Sequence, residues 1–252
     1  VLSGPNLAKE IARREPAASV VACADEDVAR QLQKLCHSKA FRPYTSTDLV
    51  GCELGGAYKN VVGLCVGMAV GLGFGDNTTA SVITRGLAET ARLAMALGAN
   101  PMTLMGLAGL GDLVATCSSP LSRNRTFGEN LGRGMTTDEI YASTSQVAEG
   151  AKSCASILDL SQRHGVDAPI AEQVTAVVGG QRTPLGEGAL PQLGVVGVEA
   201  ERHRRQGLHD QDAADELQVD GELGVQQQDD QQGAELDGQR HDLADVRLLA
   251  GR

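Results

Sequence analysis

No histidine of this sequence sits within a motif, and only His37 and His164 lie outside its last quarter. That leaves no Ser–His or Cys–His arrangement for nucleophilic catalysis. The six cysteines (Cys23, Cys36, Cys52, Cys65, Cys117 and Cys154) are scattered, without Cys-x-x-Cys or Cys/His ligand spacing. A metal site and a disulfide framework are therefore not expected, and the thiols read as reduced, in a cytoplasmic protein. Basic residues are not in excess. Residues 1–183 carry 16 Lys and Arg against 17 Asp and Glu, so no basic face is available to neutralise the phosphates of a nucleic acid. No apolar run of membrane-spanning length is free of charge, and no signal peptide opens the chain, so membrane insertion is not expected. A dinucleotide fingerprint is also lacking. Gly71-Leu-Gly-Phe-Gly75 follows a helical pattern and has no third glycine at the right spacing, and Gly106–Gly111 fails on context too.

The last quarter lacks still more. Residues 184–252 hold 6 Arg, no Lys and 15 Asp and Glu, which is nearly all of the net charge of −10. Ten glutamines lie there, and no aromatic residue, Asn, Ile, Ser, Thr, Cys or Met. Low hydrophobicity with high net charge predicts a disordered tail over 181–252. The missing types include those with the most A- and T-rich codons. Beyond about residue 180 the sequence therefore reads as GC-rich DNA in a shifted frame, a reading that an intact coding frame would remove.

What is present divides at residue 48. Val1-Leu2-Ser3-Gly4 begins as though inside a strand, and Pro5 with Leu7–Ala12 gives a short helix. Ser19–Ala24 is a compact apolar strand. Asp25 caps a helix with Val28, Leu32 and Leu35 at helical spacing. Phe41-Arg-Pro-Tyr-Thr45 is an edge strand, since it carries proline. Residues 1–48 thus look like the last βαβ turn of an α/β domain. From 52 to 73 runs a helix apolar nearly all round and therefore buried. A second helix, capped by Asn77, reaches about Gly98 and carries Arg85, Glu89 and Arg92 as an ion-paired face. Asn100-Pro101 opens a short helix, Gly106–Leu113 is a glycine-rich loop, and helices follow at about 122–133, 137–143, 148–165 and 170–178.

Several polar groups stand out against this apolar background. Lys59 lies between glycines and Asn60 on the buried helix. An unpaired buried ammonium is costly or has a depressed pKa, which would suit proton transfer; the alternative is a lysine snorkelling to solvent. Gly4-Pro-Asn6 lies at a strand-to-helix junction whose backbone N–H groups favour anions. Asp112 either caps a helix or orients Lys59. Ser122-Arg-Asn-Arg125 combines two guanidinium groups, a hydroxyl and an amide at a helix start, an array for phosphate oxygens or else a solvated face. Val147-Ala-Glu149 opens a further helix, where the carboxylate is a dipole partner or reaches a ribose hydroxyl.

Seven motifs occur in order: Gly4-Pro-Asn-Leu-Ala-Lys-Glu10, Glu53-Leu-Gly-Gly-Ala-Tyr-Lys-Asn60, Gly71-Leu-Gly-Phe-Gly-Asp-Asn77, Thr84-Arg-Gly-Leu-Ala-Glu89, Gly106-Leu-Ala-Gly-Leu-Gly-Asp-Leu-Val-Ala-Thr-Cys117, Ser122-Arg-Asn-Arg125 and Val147-Ala-Glu-Gly150. Together, over about residues 1–178, they resemble the bacterial NAD(P)-dependent glycerol-3-phosphate dehydrogenases. The resemblance implies an α/β remnant of a Rossmann domain (1–48) and then an all-α domain (49–180) similar to the C-terminal domain of 6-phosphogluconate dehydrogenase. It also implies reduction of dihydroxyacetone phosphate to sn-glycerol 3-phosphate by NADPH or NADH, for phospholipid synthesis. By motif position, Lys59 would be the proton donor and acceptor. Gly4, Asn6, Asp112, Ser122, Arg123 and Asn124 would contact the glycerol phosphate, and Ala8, Arg123, Val147 and Glu149 the cofactor.

The chain departs from the family pattern at several places. Asn6 stands where relatives often carry Thr or Ser, and Tyr58 where Leu is usual, a change expected to be neutral to chemistry. The fingerprint strand, its phosphate loop and a second substrate lysine are not in this sequence, so the chain as given is expected to be nearly inactive. Two alternatives stay open: another reductase of the 6-phosphogluconate dehydrogenase-like type, and a helical dimerisation or binding module without catalysis. A homodimer is compatible with each of them.

Overall fold

The computed structural model describes residues 1–143 and 148–184, all within a unit that runs from Val1 to Gln206. Of the tail expected to be disordered over 181–252, residues 181–184 are described, with the Gln181 and Arg182 N–H groups donating to the Ala176 carbonyl; residues 185–252 lie outside the described residues, as does Val147. The N-terminal part forms a three-stranded sheet in the order β1 (Leu2–Ser3), β2 (Ala17–Ala22) and β3 (Phe41–Ser46). β2 and β3 are parallel, with Ala17 opposite Phe41 and Ala22 opposite Ser46, and are joined through α2 (Glu26–Cys36). Asp25 caps α2 through the N–H groups of Asp27 and Val28, as its sequence position predicts. Pro43 sits on a strand that is an edge among the described residues, where its missing N–H does no harm.

β1 differs from the βαβ expectation, because it runs antiparallel to β2 with Leu2 opposite Val21. The connection explains this. α1 (Ala8–Ala12) is only five residues long, and Arg14, at φ 59°, turns the chain back. Of α2, only Ala29 is buried; Val28, Leu32 and Leu35 are exposed.

The remainder is helical among the described residues. α3 (Leu49–Gly71) is followed by α4 (Asp76–Ala96), α5 (Pro101–Leu104), a π-helical turn (Leu107–Gly111), α6 (Asp112–Ser118), α7 (Arg123–Gly132), α8 (Thr137–Ser143), α9 (Glu149–Arg163) and α10 (Pro169–Val178). α3 is the axis of the bundle: from Asn60 to Ala69 every residue is buried, with α4, α6, α7, α9 and α10 packed around it. By length and composition α3 could cross a membrane, but most of it is covered by the other helices. With no tryptophan in the chain, the core is aliphatic, and Tyr58 and Phe127 are its buried rings.

The glycines that could be mistaken for a nucleotide motif make a helix–helix seam. A Cβ on Gly67 would stand 2.1 Å from the Arg125 carbonyl, and one on Gly128 would stand 2.1 Å from the Leu64 carbonyl. Gly71 and Gly132 repeat the arrangement one turn later. Residues four apart share a helix face, so this spacing lets α3 and α7 touch backbone to backbone.

Other sequence expectations change in detail. Gly75, not Asn77, occupies the N-cap of α4. The glycine-rich loop is a π-helical turn that runs directly into α6. Glu89 is not on an ion-paired surface: it is 1% exposed. The buried positions of α4 include Val82, Gly86, Glu89 and Leu93, so Glu89 belongs to the inward stripe.

α3 starts before the apolar run because Asp48 caps it. The Asp48 carboxylate accepts from the Gly51 N–H (2.9 Å), the Asn100 N–H (3.0 Å) and the Thr103 hydroxyl (2.7 Å). Burial pulls its carboxyl upward, but those three donors outweigh burial and hold it below the usual range. A carboxylate with a depressed folded pKa contributes stability above its unfolded value, and that contribution is lost as pH falls through the folded value. Asp48→Ala is therefore expected to lower stability by about 1–3 kcal/mol at neutral pH, and by less in acid. Denaturant unfolding at both pH values checks this; an equal loss at each would exclude the ionised carboxylate as the cause.

Candidate active site

The sheet and the helices meet at a cleft of about 930 Å³, at the upper end of ligand-pocket sizes. Gly4, Asn6 and Ala8 line one side; Lys59 and Asn60 from α3, Asp112 and Thr116 from α6, and Ser122, Arg123 and Asn124 from α7 line the rest. Eight of the ten residues singled out in the sequence are thus brought together. Val147 lies outside the described residues. Glu149 opens α9, but its side chain is outside the described part.

Lys59 is neither unpaired nor fully buried. Its Nζ donates to Asp112 Oδ2 at 2.5 Å, with side-chain exposures of 23% and 5%. The π-helical turn delivers Asp112 to this position. Gly109 packs against Leu104, Gly55 approaches the Ala108 carbonyl, and Asp112 opens α6 facing α3. Asp112 is therefore a partner of the lysine and not a helix cap. Burial raises its carboxyl above the usual range, while the Lys59 ammonium and the Gly4 N–H act in the opposite sense. Gly4 adopts φ 141°, a conformation that favours glycine, and a Cβ there would meet Ser19 Oγ at 3.0 Å. Its N–H serves the Asp112 carboxylate. The adjoining α1 is too short to make an anion site of its own. Asn6 Oδ1 accepts from the Ser19 hydroxyl at 2.5 Å, which fixes the amide against β2.

The α7 end of the cleft is built by capping. The Ser122 hydroxyl accepts from the Arg125 N–H at 3.3 Å, so α7 begins at Arg123 with the positive end of its dipole toward the cleft. Arg123 lines the cleft and Arg125 does not; the Arg125 guanidinium is close enough to Cys117 to oppose the rise in that thiol's pKa. The two-guanidinium array is therefore one guanidinium and a helix start. Asn124 reaches across to α3 and α9: its Nδ2 donates to Asn60 Oδ1 at 2.8 Å, and its Oδ1 accepts from the Gly150 N–H at 2.9 Å.

Residue-type reasoning missed Lys9, Asn60 and Thr116 as lining residues. Two of them had a signal. Gly56, Lys59 and Asn60 are related by three and four residues, and Thr116 is four after Asp112, so each lies on a cleft-facing helix surface. Neither histidine outside the tail lines the cleft. Burial pushes the thiols of Cys52, Cys65, Cys117 and Cys154 up, that of Cys117 to about 12. These thiols stay protonated and are poor nucleophiles. Among the described residues no cluster of three metal-ligating side chains exists.

The site is thus an α-helical unit that sets a lysine–carboxylate pair and a basic helix start against a small α/β sheet. Comparison with known proteins narrows the class. Residues 48–186 match the family described as NAD-dependent glycerol-3-phosphate dehydrogenase C-terminus, and the chain belongs to that family. It is 69% identical over 185 residues to a glycerol-3-phosphate dehydrogenase [NAD(P)+] of Streptomyces griseus, a match covering 73% of this chain and 55% of that protein. To the protein of the same name from Thermobifida fusca it is 68% identical over 178 residues, covering 71% and 53%. Among solved structures it resembles the glycerol-3-phosphate dehydrogenase of Coxiella burnetii, with 38% identity, a TM-score of 0.74, and 77% of this chain and 59% of that one covered. The chain spans about half the length of the curated relatives it matches.

Proposed function

We propose that this chain carries the substrate-binding and proton-transferring half of an NAD(P)-dependent sn-glycerol-3-phosphate dehydrogenase. The enzyme would interconvert dihydroxyacetone phosphate and sn-glycerol 3-phosphate in the cytoplasm, for phospholipid synthesis. The observation that carries the reading is the Lys59–Asp112 pair at 2.5 Å, placed in one cleft with the start of α7 and Arg123. In this reading residues 1–48 end a dinucleotide-binding domain and 49–180 form the substrate domain.

Of the four residues that the resemblance assigns to a nicotinamide dinucleotide, Ala8 and Arg123 line the cleft, and they suit part of it; the fingerprint strand and phosphate loop that would hold the rest are not in this sequence. Ala8 is small, and Arg123 and the α7 start favour an anionic group. Ala8, Arg123 and the segment Val147–Glu149 would hold NADH or NADPH, which supplies the hydride to the substrate's C2 or takes it back. The chain's own groups do the rest. Lys59 gives a proton to the C2 oxygen on reduction and removes it on oxidation. Asp112 offsets the ammonium charge and keeps Nζ in place. Arg123 and the first turn of α7 take the phosphate, while Gly4, Asn6 and Ser122 bound the glycerol backbone.

Calorimetric titration of the 252-residue chain with sn-glycerol 3-phosphate, inorganic phosphate and glycerol tests this. The expected order of affinity is that order, with glycerol not detected. Arg123→Ala should weaken glycerol 3-phosphate binding by about 10- to 100-fold, the range for a hydrogen bond to a charged group. Equal binding of glycerol, or no effect of the arginine, would overturn the assignment.

A further inference from the structure

Lys59 and Asp112 reach each other from α3 and α6, so the offset between those two elements decides whether the pair forms. That offset is set along one face of α3. Gly51, Gly55, Lys59 and Gly63 follow at steps of four, which puts them on the same side of the helix. Opposite them, in order, stand Thr103, Ala108, Asp112 and Thr116. A Cβ on Gly51 would stand 3.1 Å from Thr103 Cβ, one on Gly55 2.5 Å from the Ala108 carbonyl, and one on Gly63 3.0 Å from Thr116 Cγ2. The segment from α5 through the π-helical turn to α6 therefore runs beside α3 in the same direction. Lys59 is the position of the four that carries a long side chain.

Packing between such small groups is weakly directional, whereas a hydrogen bond fixes distance and angle. Asp48 supplies that fixing at the start of the seam, and its two oxygens divide the work. Oδ1 accepts from the Gly51 N–H and caps α3. Oδ2 accepts from the Asn100 N–H and the Thr103 hydroxyl. Asn100 is itself the N-cap of α5, so one carboxylate joins the starts of the two helices. Asp48, Asn100 and Thr103 do not line the cleft.

We propose that Asp48 is a positioning residue: by clamping the start of α5 to the start of α3, it sets the register of the π-helical turn along the glycine face and so the approach of Asp112 to Lys59. It acts on the chemistry through Asp112. The effect on turnover rests on the proposed function; the clamp and its hold on Asp112 do not.

Two variants release the clamp in different ways. Asp48→Ser keeps a good helix cap for Gly51, but its one short-armed oxygen lets go of Asn100 and Thr103. Thr103→Val removes the hydroxyl alone, and Thr103→Ser restores it. The first readout needs no ligand. In the 252-residue chain with ¹³C-labelled aspartate, both release variants should make the Asp112 carboxyl titrate at higher pH than in the parent, because the ammonium that opposes burial has moved off. Thr103→Ser should titrate as the parent does. An Asp112 titration unchanged in both release variants, whatever their thermal midpoints, would leave Asp48 a cap and overturn the proposal. The second readout is steady-state turnover with the 185 matched residues grafted into the Streptomyces griseus relative. In the release variants kcat should fall by about 10- to 100-fold, the cost of a catalytic group misplaced by about 1 Å. KM should stay near the parent's, since Arg123 and α7 are untouched, and Thr103→Ser should recover kcat. A raised KM with kcat held would place the effect at the phosphate end of the cleft and overturn the proposal. If the Asp112 titration moves and turnover does not, the clamp stands and the catalytic reading of Lys59 and Asp112 fails.

Discussion

Lys59→Met should lower kcat by about 100- to 10,000-fold, the span for removing a positioned proton donor, in the 185 matched residues grafted into the Streptomyces griseus relative. Methionine keeps most of the lysine stem, so packing along α3 changes little. The group left behind is Asp112, already pushed upward by burial with Lys59 and the Gly4 N–H as the opposing influences. Once the ammonium is removed, burial faces only the Gly4 N–H, and the carboxyl becomes neutral instead of remaining a lone buried charge. The fold should therefore survive, and glycerol phosphate affinity should fall far less than kcat, because Arg123 and α7 are untouched. Lys59→Arg should not rescue turnover: a guanidinium stays protonated and cannot cycle a proton near neutral pH. The check is steady-state kinetics beside a thermal melt. A methionine variant with kcat within about threefold of its parent would remove Lys59 from the chemistry.

Much of this site is legible in the amino-acid sequence. The lysine, the aspartate and the start of α7 stand out because polar groups are rare in a glycine-rich apolar background. The helix boundaries follow from Asp25, Asn100-Pro101 and Ser122, whose capping chemistry is local. Long-range partners are what local patterns do not reveal. Asp112 could be named as a group to orient Lys59, 53 residues away, but only as one of two alternatives, and nothing local shows that a π-helical turn aims it. Nor does anything near Asn124 show that its amide bridges Asn60 on α3 and the Gly150 N–H on α9. The antiparallel β1 depends on the turn at Arg14, a non-glycine residue at positive φ that no turn signature marks. Tyr58 reads as a neutral replacement on the apolar helix, yet it is fully buried and its hydroxyl has a fixed partner, Glu89, at 2.5 Å.

That partner gives the largest expected loss of stability. Glu89 Oε1 accepts from the Tyr58 hydroxyl (2.5 Å) and the Ala171 N–H (3.0 Å), and Oε2 accepts from the Ile170 N–H (3.0 Å). Ala168, at the N-cap of α10, has no side chain able to cap, and Pro169 follows it. A carboxylate from α4 therefore does the capping, at the helix end where negative charge is favourable. Both oxygens hold a backbone N–H, which decides what glutamine can do: its single oxygen serves one, and its NH₂ confronts the other. Glu89→Gln should cost about 1–3 kcal/mol for the orphaned donor. Glu89→Ala, which strands the phenol and both N–H groups, should cost at least about 3 kcal/mol, a fall in thermal midpoint of about 6–12 °C for a unit of this size. The pH dependence has a definite sign. Burial raises the Glu89 carboxyl, against the opposing bonds from Tyr58, Ile170 and Ala171. An acid with a raised folded pKa binds more protons folded than unfolded between its ordinary and its raised value, so its contribution to stability declines as pH rises through that window. Tyr58 is pushed upward as well, first by burial and then by Glu89, and stays protonated throughout as the donor. The decline should be present in the parent and absent in Glu89→Gln, which does not titrate. Melts from pH 4 to 8 would show the two curves converging as pH rises; parallel curves would mean that Glu89 titrates alike in the folded and unfolded chain.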